Sequence, residues 1–319
     1  MKVDGVVQDN ADYGSTVQTL IDIQTELKSQ YKQTEDAANQ LKTLLDGFRS
    51  NLENVENLTS CCFNLPVIYA ITPTYQRPVQ KAELTRLSHT FRLIPNFYWI
   101  IVEDNQSPTN LIANLLKNSK LNYTHLVAPT PTSWKRKLKE PKWKKPRGVA
   151  QRNTALKWLR ENRNRSSDCG VIYFADDDNT YDLQLFNEMR FIKKVGVWPV
   201  GLVGGLMVER PIIDAASGKV IGWNSHWRPE RDFPIDMAGF AVNLPFLLSK
   251  PEAEFSFNVE RGFQESSLLS QLVALDELEP RANNCTKVYV WHTRTEEANL
   301  NDEKALRRQG KRSDENIEV

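Results

Sequence analysis

Net charge, long apolar runs and cysteine are all scarce in this sequence. Lys and Arg total 41 against 40 Asp and Glu, leaving +1 over 319 residues. That balance offers no global field to draw nucleic acid or an anionic membrane. No apolar stretch approaches the ~20 residues that span a bilayer. Residues 1–18 are polar, without the apolar segment that follows the basic start of a secretory leader. On the sequence alone, the chain is expected to be soluble. Four cysteines, Cys61, Cys62, Cys169 and Cys285, make no zinc spacing and are too few for a disulfide framework. Cys61-Cys62 would be able to join two chains in an oxidising compartment; the alternative is inert thiols. What remains is ordinary globular composition, 40% hydrophobic and 25% charged, enough for one large domain or two smaller ones.

The N-terminal segment differs from the rest. Val17, Leu20, Gln24, Leu27, Tyr31, Thr34, Ala38, Leu41, Leu45, Phe48, Leu52 and Val55 alternate spacings of three and four, and ten of these twelve are apolar. Such a seam predicts a self-associating coiled coil over about residues 17–55. The alternative is an amphipathic helix packed on its own domain. Residues 57–64 read as a linker, so 1–64 reads as a stem and 65–319 as a separate globular domain.

Within that domain, residues 66–72, 97–103, 124–127 and 170–175 read as strands. Residues 80–91, 111–117, 149–162, 183–193 and 265–272 read as helices. Near-continuous apolar strands alternating with helices predict an α/β fold with a parallel-leaning sheet covered on both faces. After residue 197 short strands and turns dominate. The division expected is a nucleotide-binding half, 65–200, and an acceptor-binding half with a C-terminal tail, 201–319. In such sheets ligands bind outside the carboxyl ends of the strands. Three strand ends carry polar groups there: Thr72 to Tyr75, Glu103-Asp104-Asn105, and Asp176-Asp177-Asp178.

Three adjacent carboxylates repel one another unless a cation neutralises them. Oxygen ligands at a strand end suit Mg²⁺ or Mn²⁺ on a diphosphate and suit zinc poorly. Alternation puts Asp176 and Asp178 on one side. An acidic turn capping the next helix is the alternative. Residues 134–147 carry eight Lys or Arg against one Glu, with Trp134 and Trp143. They read as a solvated loop, or as one that approaches an anionic donor or acceptor; a nucleic-acid surface is the weakest of the readings. Five Asn-x-Ser/Thr triplets occur, at Asn57, Asn105, Asn122, Asn164 and Asn284. Asn105 is set aside because Pro108 follows its Ser107, and Asn284 is the expected glycosylation site.

Several long motifs carry a resemblance. They are Thr72-Pro73-Thr74-Tyr75, Pro146-Arg147-Gly148 with Gln151-Arg152-Asn153, and Tyr173-Phe174-Ala175-Asp176-Asp177-Asp178-Asn179-Thr180-Tyr181. Further on come Asp236-Met237-Ala238-Gly239-Phe240-Ala241-Val242, Glu265-Ser266-Ser267-Leu268-Leu269 and Trp291-His292-Thr293-Arg294-Thr295-Glu296. In this order they resemble the animal β-1,3-glucuronyltransferases, over residues 65–319. The resemblance implies a GT-A fold, Mn²⁺ dependence, UDP-glucuronate as donor and inversion at the anomeric carbon. It also implies a homodimer in the Golgi lumen, anchored by an N-terminal helix that is not visible here.

The resemblance assigns roles residue by residue. Tyr75 stacks on uracil and Asp104 bonds to the uridine. Arg147 and Arg152 meet the diphosphate and Asp176; Asp177 joins the UDP-sugar site; Asp178 holds the metal. Arg231, His292 and Arg294 face the donor sugar and diphosphate. Glu209, Trp227 and Asp236 bind the acceptor galactose. Glu265 is the catalytic base. Read without the resemblance, each has a plainer alternative: core packing for Tyr75, surface charge for the arginines, a helix-start carboxylate for Glu265. One departure is Asp302, which stands where one branch of the family carries a tail amide that reaches the partner subunit's acceptor.

Trp227, residues 198–205 and the last residues resemble the proteoglycan-linkage branch, whose acceptor is Gal-Gal-Xyl on a core protein. Asn243-Leu244 and Thr286-Lys287 resemble the branch that acts on N-acetyllactosamine. The expectation is the linkage acceptor. Two rivals are a non-catalytic UDP- or glycan-binding dimer and a nucleotidyltransferase. The first must explain both Glu265 and the Asp triplet. The second wants a glycine-rich loop at the first strand end, where residues 72–77 hold no glycine.

Overall fold

A computed structural model describes residues 6–56, 65–135, 145–260, 262–296, 298–315 and 317–318. Two compact units emerge, Met1–Cys62 and Phe63–Val319. The first contains one helix, α1 (Val6–Glu56), of 51 residues. The seam residues Leu20, Leu27, Tyr31, Leu41 and Leu45 are all exposed on it. The side chains of Val17, Phe48, Leu52 and Val55 lie outside the described residues, as do Asn57, Cys61 and Cys62. No described helix is long and apolar enough to cross a membrane.

In the second unit the elements run β1 (Val67–Thr74), α2 (Gln80–Phe91), β2 (Phe97–Glu103), α3 (Asn110–Ser119), β3 (Asn122–Val127), α4 (Val149–Asn162), β4 (Gly170–Phe174), β5 (Thr180–Tyr181), α5 (Leu183–Met189), β6 (Val195–Val197), β7 (Val200–Gly201), β8 (Val208–Ile213), β9 (Val220–Asn224), β10 (Phe240–Asn243), α6 (Leu244–Leu248), α7 (Gln264–Leu269), β11 (Glu279–Pro280), β12 (Val290–Trp291) and α8 (Asn301–Arg308). The main sheet has the order β11-β6-β10-β4-β1-β2-β3, and a smaller sheet the order β5-β12-β7-β8-β9. Strands β4, β1, β2 and β3 are parallel; β10 runs antiparallel to β4 and β6.

The central strands are apolar throughout because helices cover both of their faces. Residues 68–71 and 99–102 are fully or nearly fully buried, as is all of β4. On one face an aromatic cluster gathers: Phe91 lies 4.4 Å from Phe97 and 5.3 Å from Trp99, with Phe186 6.0 Å away, edge-on. On the other face Leu156, Leu159, Phe174, Phe240 and Phe255 pack together.

Several expected boundaries move: α7 ends at Leu269 and β3 begins at Asn122, and two other shifts have a visible cause. Strand β1 continues through Pro73 to Thr74. Odd-numbered residues of β1 bond toward β4, where Ala175 N–H donates to Ile71 O, but β4 ends at Phe174. The N–H that proline lacks would have pointed past that end, so the ladder loses nothing. The helix expected over 183–193 stops at Met189. There the buried Arg190 turns its guanidinium to the carbonyls of Pro66 and Pro95 and holds the entry to β1. Cys169 is disulfide-bonded. Cys285 is a buried free thiol that burial pushes up to about 12.

Candidate active site

From β1 the chain winds outward through β2 and β3, then returns to place β4 on the other side of β1. The order therefore reverses between β1 and β4. A crevice at the carboxyl ends of two such strands is where an open α/β sheet binds ligands. These two strands end at Thr74-Tyr75 and at the Asp triplet. A cavity of ≈620 Å³ lies there, lined by Tyr75, Asp104, Arg147, Arg152, Asp176, Asp177 and Asp178 among others.

Each side chain is held by its neighbours. Tyr75 is 47% exposed, leaving ring surface open to a planar ligand. Asp104 receives the N–H and hydroxyl of Thr130, both at 2.7 Å, which fixes its plane while leaving acceptor capacity. Arg152, at the start of α4, donates to Arg147 O at 3.0 Å and to Asp176 Oδ1 at 2.6 Å. Gly148, with φ +74°, makes this possible: a Cβ there would sit 2.4 Å from Arg152 Nη1. The exposed Arg147 lies at the cavity rim, with Trp134 and Lys145. Residues 136–144 of the basic run lie outside the described residues.

The triplet follows the expected alternation. Asp177 is buried, and Asp176 and Asp178 are half-buried toward the cavity. Asp177 Oδ2 accepts the Thr74 hydroxyl at 2.8 Å, and its Oδ1 lies 2.6 Å from Arg77 Nη2. Asp177 thus lines the cavity with both of its oxygens already engaged by Thr74 and Arg77. Burial, then the charges of Asp176 and Asp177, pushes the Asp178 carboxyl up to about 6. A carboxylate so crowded by like charge is stabilised in its ionised form by a cation. Among the described residues no three His, Cys, Asp or Glu side chains converge as a ready-made metal cluster. A divalent cation held by one or two carboxylates and completed by diphosphate oxygens needs no such cluster. The residues present fit that arrangement.

A second region adjoins the first. Asp236, Glu265, His292 and Arg294 line a cavity of ≈900 Å³ together with Arg152, Asp176 and Asp178. Asp236, Glu265, His292 and Arg294 also line one of ≈310 Å³ with Glu209, Trp227 and Arg231. Glu265 thus borders both the nucleotide end and the opposite end. Its Oε2 is buried with no hydrogen-bond partner. Burial, then the charge of Asp236, pushes its carboxyl up to about 7, with Arg231 and Arg152 pulling the other way. Burial also works against Asp236, but His292 Nδ1, 3.2 Å from its Oδ2, helps keep that carboxyl below the ordinary range. The same charge pairing raises His292, against its own desolvation. Adjacent carboxyls in one pocket are thereby pushed apart, one toward the proton-accepting range and one kept ionised.

Trp227 and Arg231 form one unit. Arg231 stacks over the indole at 4.9 Å, and its three nitrogens donate to the carbonyls of Trp227, Arg228 and Gly262. Three of its N–H groups thus shape the Trp227 wall, leaving fewer for the donor sugar it is expected to face. Glu209 is buried, accepts from Ser225 at 2.8 Å, and is raised by desolvation. Asn284 is exposed, in a left-handed turn with φ 51°, and lines none of these cavities.

A model for glycosyltransferase family 43 matches residues 87–296. Galactosylgalactosylxylosylprotein 3-beta-glucuronosyltransferase I of Drosophila melanogaster is 54% identical over 259 residues, 80% of this chain and 84% of that protein. The chain belongs to glycosyltransferase family 43. The Homo sapiens enzyme of the same name, number 3, is 53% identical over 264 residues, 80% of this chain and 78% of that protein. Homo sapiens number 1 is 54% identical over 241 residues, 75% and 72% respectively. Among solved structures, S. aureus TarS 1-349 in complex with UDP superposes on 72% of this chain and 61% of that one. Its TM-score is 0.45 at 16% identity, too loose for any detail to transfer. The family 43 chain is a glycosyltransferase, and its mixed α/β unit matches the architecture expected of the GT-A class.

Sequence reasoning missed three residues of this family 43 site. Thr130 orients Asp104 from 26 positions away. Arg77 and Glu83 form an ion pair behind the triplet. Arg77 was legible as a cation two residues past Tyr75, but nothing in the sequence ties it to Asp177, a hundred residues on.

Proposed function

We propose that the chain transfers glucuronic acid from UDP-glucuronate, with inversion, to the 3-hydroxyl of the terminal galactose in a Gal-Gal-Xyl-protein linker. The observation that carries this is Glu265, whose buried Oε2 has no hydrogen-bond partner and whose carboxyl is pushed up to about 7, on the border between two cavities. Tyr75 and Asp104 take the uracil ring and its N–H. Arg147 and Arg152 take the diphosphate, for which a guanidinium fork and a helix start are suited. Asp178, with Asp176 beside it, would hold Mn²⁺, which when bound offsets the negative charge of the departing diphosphate. Trp227 presents an aromatic face to galactose, and Glu209 and Asp236 accept hydrogen bonds from its hydroxyls.

Glu265 then takes the proton of the acceptor hydroxyl as that oxygen bonds to the anomeric carbon. The bond from that carbon to UDP breaks, and its electron pair leaves on the phosphate oxygen. One displacement inverts the configuration. His292 and Arg294 keep positive charge beside the leaving group.

A lactosamine acceptor is the second reading, and the residues that favoured it turn out to be remote. Asn243 caps α6 and donates to Ile192 O; Thr286 bonds to Asn283. Neither borders the cavity that Trp227 walls. The reading extends to a homodimer joined through α1 and to residence in the Golgi lumen, which the exposed seam and the Cys169 disulfide support. The test is transfer of labelled glucuronic acid, with Mn²⁺, to Gal-Gal-xyloside and N-acetyllactosamine side by side. Transfer to the xyloside that stops with EDTA and with Glu265→Ala is expected. Preference for lactosamine would move the acceptor to the other branch. UDP binding without transfer to either would overturn the reading.

A further inference from the structure

We propose that Arg77 is a positioning residue that ties the base-stacking ring of Tyr75 to the carboxylate triplet, so that one guanidinium sets both nucleotide and cation binding. The inference rests on the glycosyl-transfer reading above and assigns a residue to its donor site.

Arg77 lies just past β1, and its side chain is only 13% exposed. Its guanidinium carbon sits 4.6 Å from the centroid of the Tyr75 ring, and Nη1 donates to Tyr75 O at 3.1 Å. The same group reaches Asp177 Oδ1 at 2.6 Å and pairs with Glu83 on α2. Asp177 Oδ2 is taken by the Thr74 hydroxyl, which in turn accepts from Gln80 at 3.1 Å. Both oxygens of the middle carboxylate, which itself lines the cavity, are thus engaged by neighbouring side chains. Strand-like alternation then leaves Asp176 and Asp178 facing it.

One planar cation therefore does two things. It covers one face of Tyr75, so the remaining face is the one offered to a base. It also locks the rotamer of Asp177, and with it the direction of the two carboxylates on either side. Lysine would keep the charge but lacks the fork and the flat face that stacks. The competing role is a mere clamp between the end of β1 and α2 through Glu83.

The test uses the full chain and its Arg77→Lys and Arg77→Gln variants, with uridine alone, then UDP with and without Mn²⁺, by calorimetry. Donor KM and kcat are measured alongside, and Tyr75→Leu completes a double-mutant cycle. Arg77→Lys is expected to melt near wild type and to bind uridine about two- to fivefold more weakly, the range of a stacked cation. The loss for UDP with Mn²⁺ should be larger, about tenfold or more, and appear in KM rather than kcat. In the Tyr75→Leu background the uridine effect of Arg77→Lys should vanish. A clamp would instead lower the melting temperature of both variants and leave uridine and UDP affinities unchanged. That result, or equal losses with and without Mn²⁺, would overturn the proposal. Should wild type bind UDP no better with Mn²⁺ than without, the metal-assisted donor site of the proposed function falls, and this inference with it.

Discussion

The raised Glu265 carboxyl makes a prediction that couples activity to stability. An ordinary glutamate ionises near 4.5, whereas burial moves this one to about 7. As a base it must be ionised in the free enzyme. kcat/KM should therefore climb roughly tenfold per pH unit below 7 and level off near pH 8. An unperturbed carboxylate would already have levelled off by about pH 5.5. The sign for stability is opposite. Because the folded pKa lies above the unfolded one, the folded state holds its proton more tightly. The acid form's advantage is complete below 4.5 and is lost as pH rises toward 7. A shift of this size corresponds to up to about 3 kcal/mol. Glu265→Gln should therefore lose about 10²–10⁴ in kcat, yet melt higher than wild type at pH 8 and equally at pH 4. Calorimetry and initial-rate assays from pH 5 to 9 read both. Activity within tenfold of wild type, or a plateau already reached at pH 5.5, would refute the reasoning.

Other expectations follow from particular contacts. Gly148→Ala would bring a Cβ within 2.4 Å of Arg152 Nη1 at a positive φ. It should raise donor KM and lower stability by about 1–2 kcal/mol, checked by kinetics and thermal melting. Phe186→Ala empties part of the aromatic cluster behind the β1–β4 sheet face and should cost about 3–5 kcal/mol. Denaturant titration would show it, with donor KM little changed in the folded fraction. Removing residues 1–64 should leave a particle of one truncated protomer by light scattering if the exposed α1 seam is what pairs; a particle of two truncated protomers would place the contact elsewhere. Chelation by EDTA should abolish UDP affinity gains as well as transfer, and Mn²⁺ should restore both.

The sheet was legible because its strands are buried on both faces and so read as unbroken apolar runs; β2, α2 and α4 have the expected limits. What was not legible depends on groups distant in sequence. The passage of β1 through Pro73 depends on where β4 ends. The early end of α5 depends on Arg190 finding the carbonyls of Pro66 and Pro95. In the site, the outward pair Asp176 and Asp178 could be read from alternation, and Glu265 from its motif. Glu83 looks like any acidic residue in the first turn of a helix, and only the fold reveals it buried against Arg77. Arg231 looked like a free cation, yet carbonyls from three residues claim its nitrogens. Sequence patterns give strand ends and residue chemistry; which partner each charge meets is decided by packing across the chain.

The most direct test of the account is the structure of the chain with UDP, Mn²⁺ and Gal-Gal-xyloside bound. The account predicts the terminal galactose against Trp227, with its 3-hydroxyl about 2.6–3.2 Å from Glu265. It further predicts uracil on Tyr75 and the cation on Asp178. A galactose bound with that hydroxyl turned away from Glu265, or a cation held elsewhere, would contradict it.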